Sequence, residues 1–339
     1  MTWVMPPETA PQDRVWMAFP PAGYTLGETA AEAEEARGAW AAVAHAVLDF
    51  EPVTMVVDPQ DVEVAATYLS SEIEVVEAPL DDAWMRDIGP TFVHDEEGGL
   101  AGIDWVFNGW GQQDWARWDH DQDIARLVLE HAGVERVASD LVNEGGGVHV
   151  DGVGSVLVTR TVQLDPMRNP GLAEEDVAAE LRRTLGADRV VWLPQGLTRD
   201  NDTFGTRGHV DIVATFPQPG VVLLHDQRDA SHPDHEVTRT IREILRDEDW
   251  TVIDLPAPRT LEDGEGWVDY SYVNHLVVNG GVIACTFGDP NDQDAERILA
   301  EAYPGRRVVG VEARPFFARG GGIHCITQHQ PSPRRTAGG

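Results

Sequence analysis

Apolar residues recur at helical spacing, among strong helix formers, over about residues 28–49, 121–132, 173–185, 236–247 and 293–302, with a weaker instance over 60–69. Short runs rich in β-branched residues lie between them and predict strands: VTMVV from Val53, IEVVEA from Ile73, LAGIDWVF from Leu100, VHVDG and VGSVLVTR within 148–160, and RVVWLP from Arg189. The series continues with HVDIVATF from His209, GVVLLH from Gly220, WTVIDLP from Trp250, SYVNHLVVNGGVIACTFG from Ser271 and RVVGVEA from Arg307. Helices and strands alternate throughout, which predicts an α/β fold. From the second helix onward the helix centres fall at intervals of about 50–60 residues, each accompanied by two or three strands. That spacing suggests a repeated ββαβ-like unit, four or five of which fill the chain, although no repeat is visible letter by letter. No linker or break in composition divides the sequence, so one domain is expected over 1–330, with a flexible tail over 331–339.

Composition narrows the function. A chain of 339 residues with 42% hydrophobic content and 11 tryptophans is that of a folded globular protein. Acidic residues outnumber basic ones by 58 to 25, a net charge of −33, which repels nucleic acid and anionic lipid and attracts small cations. Much of that charge is also what a solvated surface carries. Every basic residue is arginine; without lysine there is no Schiff base, no lysine-anchored PLP and no phosphate-binding P-loop lysine. Cys285 and Cys325, the only cysteines, make no disulfide framework. The N-terminal MTWVMPPETAPQDR has neither a basic region nor an apolar run, and no stretch approaches membrane-spanning length. A cytoplasmic location is expected, with neither a nucleic-acid nor a membrane partner.

Four segments carry polar residues that strands and turns have no folding reason to prefer. In DDAWMRDIGPTFV, residues 81–93, Asp81, Asp82, Arg86 and Asp87 crowd an otherwise buried-looking stretch, and Gly89-Pro90 marks a turn that leaves Asp87 at the end of an extended piece. An Asx turn or an Arg86–Asp87 ion pair is the alternative use. In NEGGGVHVDG, 143–152, three glycines follow Glu144, and His149 and Asp151 alternate so that both face one side of a strand. TRGHVDIV, 206–213, repeats the relation with His209 and Asp211. GGGIHC, 320–325, places Cys325 on a glycine-rich approach with His324 beside it. Alone, Cys325 reads as a small buried hydrophobe.

Two HxD pairs could supply four ligands to a divalent ion, as in a metal-dependent ureohydrolase, but a metal leaves Cys325 without a task. A thiolate nucleophile, a histidine for proton transfer and carboxylates for a cation use every piece. A guanidinium fits that set, since its planar fork of N–H donors pairs with two carboxylates. Its delocalised carbon is a poor electrophile and demands a strong nucleophile. The thiol must be activated by His209, by the bound cation or by amides of the glycine loop.

These segments, in this order, resemble the agmatine deiminase and bacterial peptidylarginine deiminase family of the guanidino-group modifying superfamily. The likeness runs from VWMAFP at 15 through AWMRDIGPTFV, NEGGGVHVDG, GHVD and SYVNHLVVNGGVIACTFGD to GGGIHCITQHQP. It implies a five-bladed α/β propeller of ββαβ units around an acidic tunnel. By motif it implies Cys325 as nucleophile, His209 as general acid and base, Asp87 and Asp211 as guanidinium ligands, and Glu144 as a further carboxylate paired with His209 or with a substrate nitrogen. The implied reaction is hydrolysis of a small guanidino compound, agmatine or else arginine or a related guanidino acid, without metal or organic cofactor. A homodimer is the expected assembly. Trp84 is placed either along the substrate's methylene stem or in the core. His149 and Asp151 are read as hydrogen-bonding the tunnel wall, His324 as a positioning residue and Cys285 as core. Arg207 and Arg319 depart from the family pattern. Either they pair with surface acid, or they face the tunnel mouth and suit a substrate with a carboxylate.

Overall fold

The computed structural model describes residues 2–201 and 205–334. These form five sheets of three or four strands and one small hairpin, Glu262–Asp263 with Gly266–Trp267. The five sheets share one plan, in which a central strand pairs antiparallel with one neighbour and parallel with the next, and a helix joins the parallel pair.

Leu100–Val106 lies antiparallel to Thr91–His94 and parallel to Glu135–Val142, across the helix Ile124–Ala132. Ser155–Thr159 stands in the same relation to His149–Val150 and Arg189–Leu193, across Glu174–Leu185. Val221–Asp226 pairs with Ala214–Gln218 and Thr251–Pro256, across Asp234–Asp247. Gly281–Thr286 pairs with Leu276–Val278 and Arg307–Glu312, across Asp292–Ala302. The remaining sheet joins the ends of the described chain. Gln12–Ala18 takes its antiparallel partner from Thr327–Pro331 and its parallel partner from Val53–Val57, across Ala30–Leu48, and Glu74–Glu77 extends the sheet.

The helices begin and end where local chemistry directs. Ala30–Leu48 opens on a capping box, with the Thr29 hydroxyl accepting the Glu32 N–H and the Glu32 carboxylate accepting the Thr29 N–H. Val53–Val57 is buried on both faces, as a run without polar alternation requires. All six helical stretches read from periodicity are present within two residues, apart from a 3₁₀ turn at Asp121–Asp123 that opens the second.

Besides the two strands of the small hairpin, four strands escaped that reading: Gln12–Ala18, Thr91–His94, Glu135–Val142 and Thr327–Pro331. The last is fully buried yet carries Thr327, Gln328, His329 and Gln330. Hydropathy cannot signal a strand whose polar side chains are satisfied internally: the Gln330 carbonyl oxygen accepts from the Trp16 indole, and Gln328 from Arg86. HVDIVATF begins as a 3₁₀ turn, Val210–Ile212, and becomes strand only at Ala214. Asp87 lies in a helical turn, Met85–Ile88, rather than at the end of an extended piece. Of the residues expected as tail, Pro331 closes a strand, Ser332 N–H bonds Pro11 O and Arg334 N–H bonds Gly98 O. Residues 335–339 lie outside the described residues.

Candidate active site

In each sheet the antiparallel outer strand is entered from a short irregular segment, and those five segments supply the site. Asp87 precedes Thr91–His94, Glu144 precedes His149–Val150, and His209 and Asp211 precede Ala214–Gln218. Asn274 precedes Leu276–Val278, and Cys325 precedes Thr327–Pro331. A repeated topology thus delivers one chemical group or pair from each unit to a common place.

Cys325 is buried, and its Sγ accepts the Asn274 side-chain N–H at 3.2 Å and lies 3.5 Å from Asp211 Oδ2. Asn274 also donates to Asp211 Oδ2 at 3.1 Å, and its Oδ1 accepts the His324 backbone N–H at 2.9 Å. Asp211 Oδ2 is held further by His324 Nδ1 at 2.8 Å, while His324 Nε2 meets Glu8 Oε1 at 2.7 Å. On the other side, His209 Nε2 pairs with Glu144 Oε2 at 3.0 Å, and Arg168 grips Glu144 through Nε at 2.9 Å. Asp87 receives the Trp110 indole N–H at 2.9 Å and the Gly146 N–H at 3.1 Å. Two buried atoms of this set have no hydrogen-bond partner among the described residues, His209 Nδ1 and Asp211 Oδ1. Buried polar atoms are rarely left so, and both belong to side chains around Cys325 and Asp87.

Glycine is required where groups crowd. A Cβ at Gly321 would come within 2.6 Å of the Trp84 ring and about 3 Å of the Cys325 side chain. One at Gly146 would meet His209 Nδ1 at 2.5 Å and Asp87 Oδ1 at 3.0 Å. Trp110 adopts φ 55°, a left-handed conformation unusual for a bulky residue, in the turn that aims its indole at Asp87.

Electrostatics follow from burial and neighbours. Burial, then the charges of Asp211 and Asp87, push the Cys325 thiol well above its ordinary range, so the empty site holds a thiol. Burial also raises Asp87 to about 6, against the pull of His209. For His209 burial opposes charge, but Asp87 and then Glu144 outweigh it and lift the imidazole to about 9. Glu144 is brought down to about 2: burial opposes its charge, and Arg168 and then His209 override that. Asp211 is lowered in the same way, with burial opposed by His324 and His209. At neutral pH the empty site therefore holds an imidazolium, ionised carboxylates and a protonated sulfur.

Cys325, His209, Glu144, Asp87 and Asp211 are brought together. Trp84 lines the cavity beside Cys325, while its indole N–H bonds Thr25 Oγ1 and its edge packs on Trp40. The two HxD pairs do not converge. His149 turns to Thr215 and to the Phe216 N–H, and Asp151 caps a turn by accepting from Val153 and Ser155 N–H. Asp151 is therefore not on the strand face expected from alternation. Glu8, His149 and His324 approach one another closely enough for a metal, yet both ring nitrogens of each histidine are already hydrogen-bonded. Arg207 donates to Gln113, and Arg319 donates to the carbonyls of Thr25, Pro315 and Glu32 and to Glu35. Cys285 donates to Asn274 O, and burial pushes it up to about 12, as suits a core thiol.

Sequence reasoning missed Asn274, Arg168, Trp110 and Glu8. Asn274 was within reach, since it stands in SYVNHLVVNGG at the place before a first strand that the other four units fill. Arg168, Trp110 and Glu8 come from connecting segments and left no comparable signal.

Around Cys325 the cavity is nearly shut, at about 10 Å³, roughly room for one water. Trp84, Asp87, Trp110, Trp115, Thr206 and Arg319 share its lining. A second cavity of about 490 Å³ shares Gly205 and Gly320 with it and is lined by Tyr24, Arg199, Glu265 and Asp269 among others.

Fold and site define a protein that sets a thiol and an imidazolium among buried carboxylates, an arrangement suited to a planar cation. Residues 4–331 match the model of the Porphyromonas-type peptidyl-arginine deiminase family. A Streptomyces coelicolor protein named "Putative agmatine deiminase" is 55% identical over 338 residues, 98% of this chain and 99% of its own. The agmatine deiminase of Stutzerimonas stutzeri is 41% identical over 360 residues, 98% of this chain and 96% of its own. The solved agmatine deiminase of Enterococcus faecalis superposes with a TM-score of 0.91 at 32% identity, over 98% of this chain and 97% of that one. The chain belongs to the Porphyromonas-type peptidyl-arginine deiminase family.

Proposed function

We propose that this chain hydrolyses agmatine to N-carbamoylputrescine and ammonia through a covalent amidino-thioether on Cys325. The observation that carries the reading is the juxtaposition of the Cys325 thiol with Asp87 and Asp211, beside a His209 whose Nδ1 has no hydrogen-bond partner among the described residues and lies 3.8 Å from Asp87 Oδ1. The names of its relatives at 41–55% identity support the substrate. The guanidinium lies between Asp87 and Asp211, and its charge offsets the two anions that hold the thiol protonated. Cys325 then releases its proton to water and attacks the guanidinium carbon. His209, held at Nε2 by Glu144, gives its Nδ1 proton to the departing nitrogen, and ammonia leaves. Neutral His209 takes a proton from water, the hydroxide adds to the amidino carbon, and collapse passes the hydroxyl proton to the departing sulfur, which restores the thiol and frees the neutral ureido product. Glu144 acts through His209 as a positioning residue.

The amine end of agmatine is favoured over a carboxylate by the arginines: Arg207 is bonded to Gln113, and Arg319 is tied to three carbonyls and Glu35. The five sheets are read as blades of one α/β propeller around an acidic tunnel, supported by their common strand plan and by the five equivalent segments that supply the site. One catalytic unit is proposed, extended past residue 330 because Pro331 closes a strand; association into dimers, as the family resemblance implies, and a cytoplasmic location complete the proposal. The test is ammonia release across agmatine, arginine, a peptidylarginine and short guanidino acids. Agmatine is expected to give the highest kcat/KM, with loss of activity on iodoacetamide treatment and none with EDTA. Preference for arginine, or the reverse inhibitor pattern, sinks it.

A further inference from the structure

The cavity of about 490 Å³ beyond Gly205 and Gly320 contains a buried carboxyl that the chemistry above does not use. Asp269 is 5% exposed, lies in the cavity wall, and its Oδ1 has no hydrogen-bond partner among the described residues. Its neighbours do not supply one. Asp200 is spent on the Thr206 hydroxyl and the backbone N–H groups of Thr206 and His209, and Asp234 on Thr198 with His232 nearby. Arg199, the cation in the same wall, is held by Asp263 and by the rim residue Glu265. A buried, unpartnered carboxyl beside two further carboxyls is costly unless something cationic meets it. Burial, then the charge of Asp200, raises Asp269 to about 7 against the pull of Arg199, which Asp263 and Glu265 already occupy.

From this geometry we infer that Asp269 receives the terminal ammonium of the substrate and so sets the preference for guanidinoalkylamines over guanidines with neutral or acidic tails. The inference rests on the deiminase reading above. It gives the two cavities one occupant, with the guanidinium at Cys325 and the alkyl chain passing Gly205 and Gly320 toward Asp269. An α-carboxylate would bring a second anion toward the acidic wall, where Arg199 is already neutralised.

The test compares agmatine with n-butylguanidine, which has the same chain without the ammonium, on wild type, Asp269→Asn and Asp269→Ser. A hydrogen bond to a charged group accounts for roughly 10- to 100-fold in affinity. The ratio of kcat/KM for agmatine to that for butylguanidine is therefore expected to fall by at least about tenfold in both variants, mainly through KM. Parallel loss on both substrates would mean that Asp269 supports the fold only, and an unchanged ratio would mean that the ammonium goes elsewhere; either overturns the inference. Failure of wild type to release ammonia from either guanidine would overturn the deiminase reading itself.

Discussion

Cys325, the proposed nucleophile, cannot be judged by its resting state. Its thiol is held protonated by burial and by the two carboxylates proposed to bind the substrate. The same anions that suppress the thiolate attract the cation that releases it, so reactivity is confined to the occupied site. Two measurements follow. Cys325→Ser is expected to lower kcat by about a thousandfold or more while agmatine still binds, read by ammonia assay and calorimetry. In the pH profile of kcat/KM, Asp87 must be ionised to bind the guanidinium and sits at about 6. His209 must be protonated to deliver a proton to the leaving nitrogen and sits at about 9. The profile should rise through about pH 6 and fall through about pH 9, and Glu144→Gln, which removes an anion holding the imidazolium, should move the alkaline limb downward.

Among the elements, the irregular segments before the five outer strands do the positioning, and each depends on close backbone approach. Gly321 shows the constraint most plainly, because a methyl group there would overlap the Trp84 ring and crowd Cys325. Gly321→Ala is expected to reduce kcat by more than about tenfold while shifting Tm by only a few degrees, since the neighbours that must yield are Trp84 and Cys325 of the proposed site. Asn274 is a different case. Its side chain ties Cys325 Sγ, Asp211 and the His324 N–H together, so Asn274→Ala removes these bonds and leaves the His324 N–H only its 3.3 Å bond to the backbone oxygen of residue 274. That change should cost about 1–3 kcal/mol of stability in urea unfolding as well as activity.

For the molecule as a whole, the net charge of −33 and the buried acids act together. Raising NaCl from about 0.01 to about 1 M shortens the screening length from about 30 to about 3 Å. The kcat/KM for a dicationic substrate should then drop severalfold as attraction over distance is lost, while Tm rises as surface self-repulsion is relieved. Burial also raises Glu51 and Asp269 to about 7 and Asp82 to about 6. The folded state therefore retains protons that the unfolded chain has released by pH 5. Stability should decline as pH rises through 6 and 7, and the urea midpoint should be higher at pH 5 than at pH 8. The depressed carboxylates Glu8, Glu144 and Asp211 act oppositely, but only below their unfolded values, near and below pH 4.5.

The sequence by itself determined the helices and most central and parallel strands, and the family resemblance read from it named the proposed set Asp87, Glu144, His209, Asp211 and Cys325. Periodicity is local, and chemistry-bearing residues in a fixed order within glycine-rich segments are legible without contacts. It did not determine two of the five antiparallel outer strands, Thr91–His94 and Thr327–Pro331. Thr327–Pro331 is buried and polar, and its partner Gln12–Ala18 is some 300 residues away in the chain. Nor could it decide between the two uses of Arg207 and Arg319, because the direction of a long side chain depends on acceptors such as Thr25 O and Gln113 that only the fold supplies. The opposite holds for Asp151, whose place on a strand face was inferred from alternation and whose real role is to close a turn. Only the tertiary structure joined Arg168 to Glu144 and Asn274 to Cys325. Burial and the pairing of distant charges, which set the state of the thiol and leave Asp269 without a partner, exist only once the chain has folded.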